Sequence, residues 1–553
     1  MPLFLIRLLD EVLERMEQEP RLRHFTLDGE SSLIDAYLKV RPENFERVEK
    51  LVKEGRLLLG PWYVAPEPAL TNVESLIRNL LLGLRTARVF GTPMMVAYLP
   101  ESGVLHSALP QILKSFGIKT VLASFEDTQE GVEFHYRGLD GTLAVIGDLR
   151  ESLFASDDTF VSIRRKLAPL SDSGHLLLLS QWEVGTTLKK AGTWLRKLAK
   201  AASDLQDDVI VSTPAAFANA LEVNVLNSEL PIYDRQPELT AAGRQVRDWN
   251  VSITRGVLRW IEPFFAWAEN AQLGRTESHL RRPQTLIQDL WRHILRDQAD
   301  PQLHEPENVE QLAARTRYYR ERVDDLRDVP LNSMTENVNT AVLPVQGVTA
   351  LIVYNSNSQT YRGAFRFKIG WARSQPEVDK QYSLVVYNAN GQRVGMAVPS
   401  DQSEFVQELL FSAEIPAFGY SSFSVALEPT PTDLVLPTTK AGAAPDLLGY
   451  VTGFHPGSLP LSTGLISVSD WRFEVTTIKL PENPDQRGLI LRGSCRVDEP
   501  LMVTLTPWRV FKKCEVVSMD EAPIGGTVAI DPATGTLKFK ATAHRLITLW
   551  LHD

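Results

Sequence analysis

The sequence is poor in the residues on which several common functions depend. Of 553 residues only Cys495 and Cys514 are cysteine, and they stand in no Cys-x-x-Cys spacing. That excludes a disulfide framework and a cysteine zinc site. Positive charge is short as well: 58 Lys and Arg against 68 Asp and Glu leave a net charge of −10, with no basic run. Nucleic-acid partners need a basic footprint and are not expected. Long apolar runs are missing too. Leu3–Ile6 is interrupted by Arg7 and Asp10, well before the roughly 20 apolar residues of a membrane span. No membrane partner or secretion signal is read, and the expected location is the cytoplasm. Gly and Pro, at 33 and 34, are too few for a collagen-like or low-complexity chain.

What is present is ordinary globular composition, 44% hydrophobic and 23% charged. At roughly 100–200 residues per domain, the length predicts three or four domains. Leu5, Leu8, Leu9, Val12, Leu13 and Met16 recur at helical spacing, so the chain opens inside an amphipathic helix with no strand before it. Through residue 230, helical patterns (Phe45/Val48/Leu51/Val52, Leu76/Ile77/Leu80/Leu81/Leu84, Leu109/Ile112/Leu113/Phe116) alternate with strand-like pieces. Those pieces are Met94–Leu99, Thr120–Ala123, Leu143–Gly147, His175–Ser180 and Val209–Ser212. The alternation predicts an α/β domain with a mostly parallel sheet over 1–230, whose ligands sit beyond the carboxyl ends of strands. The loops after Leu99 and Leu179 are thereby singled out.

Residues 235–330 read as a three-helix bundle, with helices near 242–273, 283–298 and 307–327. After Pro330 the pattern turns to β, giving a domain over 335–428, a linker over 429–450 rich in Pro and Gly, and a C-terminal β domain over 451–553. Both β domains are expected to be antiparallel and sandwich-like.

Four stretches carry a family resemblance. They are Phe25–Glu30 with Asp35–Leu38; Gly55–Val64, which contains Gly60-Pro61-Trp62; Glu74–Gly83; and Tyr98–Ser102 running on to Leu109–Leu113 and Phe116–Ile118. Further matches fall at Asn250, Glu262-Pro263, Ile352–Asn355, Arg362, Ile415–Tyr420, Leu489–Arg492 and His544–Leu549. In this order and spacing the chain resembles glycoside hydrolase family 38, the α-mannosidase family, as a shortened and divergent member. The resemblance implies a carbohydrate partner, a retaining mechanism, a bound Zn²⁺ held by His and Asp, and compatibility with homo-oligomers.

The family's site residues do not carry over in their usual identities. Its first metal ligands, a His-x-Asp motif on the opening strand, have no counterpart here. Its nucleophilic aspartate, also a metal ligand, corresponds to Glu101, and the histidine after it falls one place late, at His106. Its acid/base loop reads Ser180-Gln181-Trp182-Glu183, placing Trp182 at the aspartate's position and Glu183 beside it. Its later His-Asp pair corresponds to Asp300 or nearby, with His293 and His304 flanking. Glu101 as nucleophile and Glu183 as acid/base are the candidate catalytic pair; Trp62, Trp182 and His106 are candidate substrate-binding residues. Glu101 and Asp300 stand at ligand positions, but without histidines the zinc preference goes and hard carboxylates suit Mg²⁺ or Ca²⁺ better. Glutamate also displaces the nucleophilic carboxylate by roughly 1 Å, which such geometry tolerates poorly. A degenerate hydrolase is one expectation and an inactive carbohydrate-binding homologue the other.

Trp62 after its Gly-Pro turn suits a stacking platform for a sugar face, though on the residues alone the core is the plainer reading. His106 at a helix start also reads as a cap. Glu74 and Arg78, four apart, read as a surface ion pair on a helix.

Overall fold

A computed structural model describes residues 3–19, 22–67, 71–100, 105–125, 131–150, 157–179, 199–200, 202–225, 232–233, 241–273, 283–299, 309–370, 382–398, 406–438 and 446–553. The chain forms two compact units, Met1–Val251 with Asp289–Arg315, and Ser252–Gln288 with Thr316–Asp553. Among the described residues no helix is long and apolar enough to cross a membrane.

In the first unit the helix Leu3–Gln18 buries Ile6, Leu9, Val12, Leu13 and Met16 along one stripe, as its periodicity predicts. That stripe packs with Val48, Leu51 and Val52 of the helix Phe45–Lys53 and with Leu57 and Leu59 in a single apolar cluster. Two short strands, β1 (Phe25–Thr26) and β2 (Leu57–Leu58), pair in parallel beside it. A five-stranded sheet follows, built from β3 (Ala97–Leu99), β4 (Thr120–Ala123), β5 (Glu133–Arg137), β6 (Leu143–Asp148) and β7 (Ile232–Tyr233) in the order β3-β4-β6-β5-β7. β3, β4 and β6 are mutually parallel, β5 pairs with β6 antiparallel, and β7 pairs in parallel with β5, so three of the four pairings are parallel. Leu122 of β4 packs on Ala218 and Leu221 of the helix Pro214–Val225. The expected α/β domain with a mostly parallel sheet is present.

Two expected strands are not formed. His175–Leu179, apart from a single bridge at Leu179, and Val209–Ser212 carry no strand pairing among the described residues, and Ile210 is 75% exposed. β-branched and leucine-rich composition favours an extended backbone, but only a neighbouring edge turns it into a strand.

The helical region contains Ala241–Gly256, a π-helical turn Val257–Ile261, Glu262–Asn270 and Pro283–Asp297. The helix expected to stop near 327 instead runs Val309–Asn337, straight through Pro330. Proline in a helix interior costs about 3 kcal/mol. Leu331, Met334 and Val338, all fully buried in one cluster, offset it.

In the second unit an eight-stranded antiparallel sheet contains β8 (Thr349–Asn355), β9 (Tyr361–Gly370), β10 (Tyr382–Asn388), β11 (Arg393–Val398), β12 (Val406–Ile415), β13 (Gly419–Pro429), β14 (Leu447–Thr452) and β15 (Ser462–Gly464). The expected linker 429–450 is therefore shorter than its composition suggests, because β14 pairs with β8 from Leu447 onward. The rest is a sandwich. Its three-stranded sheet holds β16 (Ile466–Val468), β19 (Leu501–Pro507) and β22 (Leu537–Ala541); its five-stranded sheet holds β17 (Phe473–Lys479), β18 (Leu489–Cys495), β20 (Lys513–Val517), β21 (Pro523–Thr527) and β23 (Leu546–His552). Alternate residues of both, among them Val503, Leu505, Leu491 and Leu549, fill one core.

Candidate functional site

Beyond the carboxyl ends of β1 and β2 the two chains continue side by side. Trp62 N donates to Gly29 O, Ser31 N to Trp62 O and Ser32 N to Tyr63 O, at 3.2, 3.0 and 2.7 Å. Asp28 and Gly29 turn with φ of 45° and 72°, a region that Asp tolerates better than most residues and Gly enters freely. Gly29 has a second reason to be glycine, since a Cβ there would stand 2.9 Å from Tyr98 Cβ.

This turn sets Asp28 and Glu30 close together. Ser32 Oγ donates to Glu30 Oε2 at 2.9 Å. Burial pushes the Glu30 carboxyl up to about 7, and the Asp28 charge pushes the same way, against hydrogen bonds from Ser32 and Ala65 and the charge of Arg296. A carboxyl set near neutrality can hold or release a proton at ordinary pH. Beside it, Tyr63 donates its hydroxyl to Asp35 Oδ2 at 3.0 Å, while Arg296 Nη2 donates to the Tyr63 oxygen at 3.0 Å and stacks 5.6 Å over the ring.

Asp28 also lines the large cleft of this unit, about 1270 Å³, together with Tyr98, Leu5, Leu8 and the two unpaired segments Leu176–Leu179 and Val209–Ser212. One wall carries the Arg164–Asp207 ion pair, with Arg164 Nη2 2.9 Å from Asp207 Oδ1. The cleft thus combines an apolar body with a few convergent polar groups, as ligand pockets do.

The expected site residues fare differently. Glu101, Trp182, Glu183, Asp300 and His304 lie outside the described residues. Trp62 is fully buried and offers no face to a sugar; it belongs to the core. Its turn is locked by the next helix, Val73–Arg88: the Asn79 side chain accepts from Tyr63 N at 2.8 Å and donates to Val64 O at 2.7 Å. Gly83 of that helix lies so close that a Cβ would meet Trp62 C at 2.2 Å.

His106 is not the cap of its helix, whose N-cap is Ala108: it lies two residues earlier, its Nδ1 accepting from Ala108 N at 3.1 Å, and burial lowers its pKa, favouring the neutral ring. The Glu74–Arg78 pair is not on the surface. Both side chains are about 5% exposed or less, 2.6 Å apart, with Arg78 5.2 Å over the Trp291 ring. Spacing alone could not reveal that the helix is buried on this face as well. His293 Nε2 stands 3.6 Å from Asp289 on the exposed side of its helix.

For a resident metal the donor chemistry is decisive. Among the described residues no three His, Cys, Asp or Glu side chains converge to hold an ion. On their own they do not fit the metal that the resemblance implies.

The Asp28, Glu30 and Arg296 cluster was not visible as a site in the sequence. Asp28-Gly29 marks a turn, but nothing in the pattern brings Arg296 to it from over 260 positions away.

Comparison with known proteins agrees with this architecture. Residues 5–236 match the family model "Glycosyl hydrolases family 38 N-terminal domain". A curated relative from Halalkalibacterium halodurans, described as "Putative mannosylglycerate hydrolase", is 35% identical over 120 residues, which cover 22% of this chain and 13% of that protein. The crystal structure of an alpha-mannosidase from Enterococcus faecalis V583 superposes with a TM-score of 0.76 over 100% of this chain and 97% of that one, at 13% identity. A second Enterococcus faecalis structure, of a protein in the glycosyl hydrolase family 38, gives 0.71 over 99% and 97%, also at 13% identity. The fold is that of these hydrolases. The N-terminal domain, residues 5–236, is thus similar to the N-terminal domain of glycoside hydrolase family 38, and the fold is shared with the two solved structures.

Proposed function

We propose that this protein is an α-mannosidase-like glycoside hydrolase that acts on α-mannosides through a degenerate hydrolytic centre. The carrying observation is the match of residues 5–236 to the family 38 N-terminal domain; by the resemblance, Glu101 stands at the family's nucleophile position. Names of similar proteins, an alpha-mannosidase and a mannosylglycerate hydrolase, support mannosides as the substrate class.

In a retaining mechanism Glu101 attacks the anomeric carbon while Glu183 gives its proton to the departing glycosidic oxygen. Water, deprotonated by Glu183, then displaces the sugar from Glu101. The two carboxyl groups must stand about 5–5.5 Å apart for this. The longer Glu101 side chain and Trp182 at the acid/base position both argue for slow turnover. Asp28 lines the cleft of the same domain, and its carboxyl group suits hydrogen bonding to sugar hydroxyls there.

A second reading, an inactive carbohydrate-binding homologue, is favoured by Trp182, which cannot transfer a proton. Hydrolysis of an aryl α-mannoside, together with calorimetric binding of methyl α-mannoside, separates the two. Turnover lost in Glu101→Gln with binding kept supports the hydrolase. Turnover at the solvent background in both proteins, with binding kept, assigns the second reading. Neither binding nor turnover overturns both.

A further inference from the structure

Trp471 is unlike the other described tryptophans. It is 74% exposed, whereas Trp62, Trp260, Trp267 and Trp291 are buried and Trp249, Trp508 and Trp550 are partly covered. It projects from a turn between β16 and β17 that is tightly built. Phe473 N donates to Asp470 O at 3.1 Å, and Asp470 Oδ1 accepts from Arg472 N at 2.9 Å. Ser469 is tied to Thr504 in both directions at 3.0 Å, and Phe473 is fully buried at the foot of the turn. The indole is therefore held outward by anchored neighbours, in a place where turn chemistry ordinarily selects a polar residue.

Asp470 and Arg472 flank Trp471 in the sequence. Arg472 donates Nε to Asp470 Oδ1 at 3.0 Å and Nη2 to Oδ2 at 2.7 Å. The pair is fixed, yet the Arg472 side chain keeps 40% of its surface open, and a guanidinium has five N–H donors.

The chemistry of this patch selects its occupant. A stable protein interface needs about 800 Å² per partner, whereas one indole supplies on the order of 250 Å². The matching ligand is small, with one flat C–H face and a rim of hydroxyl groups. A pyranose ring has that form: its C–H face lies on the indole, and its rim hydroxyls reach the carboxylate and guanidinium. We propose that Trp471, Asp470 and Arg472 form an accessory carbohydrate-binding platform for a pyranosyl unit of a polysaccharide. The choice of α-mannan as first probe rests on the mannoside reading above; the platform itself does not.

The test is affinity gel electrophoresis of the full chain through soluble α-mannan, and separately through soluble xylan and soluble β-glucan. Retardation of the wild type in α-mannan, weakened about fivefold or more in Trp471→Ala and largely restored in Trp471→Phe, is expected, since one stacking contact contributes about 1 kcal/mol. Unchanged melting and unchanged binding of methyl α-mannoside by Trp471→Ala would show that the loss is local. Trp471-dependent retardation in xylan or β-glucan alone supports the platform with a sugar preference of its own, leaving the substrate class of the hydrolytic centre to the aryl α-mannoside assay. Equal mobility of wild type and Trp471→Ala in all three gels overturns the platform.

Discussion

Glu30 carries a carboxyl that burial pushes from an ordinary 4.5 up to about 7. Because the folded value is the higher one, the stability associated with it is fully present below about pH 4.5 and is lost as pH rises to about 7. Glu30→Gln, which mimics the protonated form, should match the wild type in urea midpoint near pH 4. It should exceed it progressively up to pH 7, by on the order of 2–3 kcal/mol, and hold a constant advantage above. A constant difference across the whole range would show that Glu30 titrates normally. Glu74 behaves differently, because its partner Arg78 is buried with it. Glu74→Ala deprives a buried guanidinium of its carboxylate and should cost about 3 kcal/mol. Glu74→Leu combined with Arg78→Met should cost less, as urea unfolding of both variants would show. The sequence presented this pair at i, i+4 spacing, but whether such a pair faces water or core depends on what packs against the helix.

At the scale of elements, the second and third family stretches are one interlocked device. Asn79 stands in for a strand neighbour to Tyr63 and Val64, and Gly83 lets the helix Val73–Arg88 press against the Pro61–Tyr63 backbone. Gly83→Ala would set a Cβ 2.2–2.3 Å from three backbone atoms. Backbone cannot move aside cheaply, so the variant should lose about 3 kcal/mol in urea unfolding; a neutral result would refute the tight approach. Trp62 is core rather than platform, its side chain fully buried beside this close backbone approach. Elements whose signal is local were legible, among them Thr120–Ala123 as β4 and Pro283–Asp297 as a helix. Elements that need a distant partner were not. The run Val209–Ser212 has strand composition and no strand, and β5 went unread because its pairing with β6 depends on the Gly138–Thr142 turn.

At the scale of the whole molecule, the fold persists at 13% identity across a complete superposition. Cores accept many sequences of the same pattern and volume, so the architecture outlives most of its residues. The site does not share that tolerance, since a carboxylate moved by an ångström no longer does the same chemistry. The sequence by itself carried the resemblance to glycoside hydrolase family 38, the α/β-then-helical-then-β order and the expectation of altered identities at Glu101, Trp182 and Glu183. All of these are carried by local pattern and motif spacing. Only the tertiary structure decided that Trp62 is buried, that Trp471 is offered to solvent, and that Asp28, Glu30 and Arg296 share one cluster. Burial and proximity are properties of what packs against a residue, and that neighbour is usually far away in the chain.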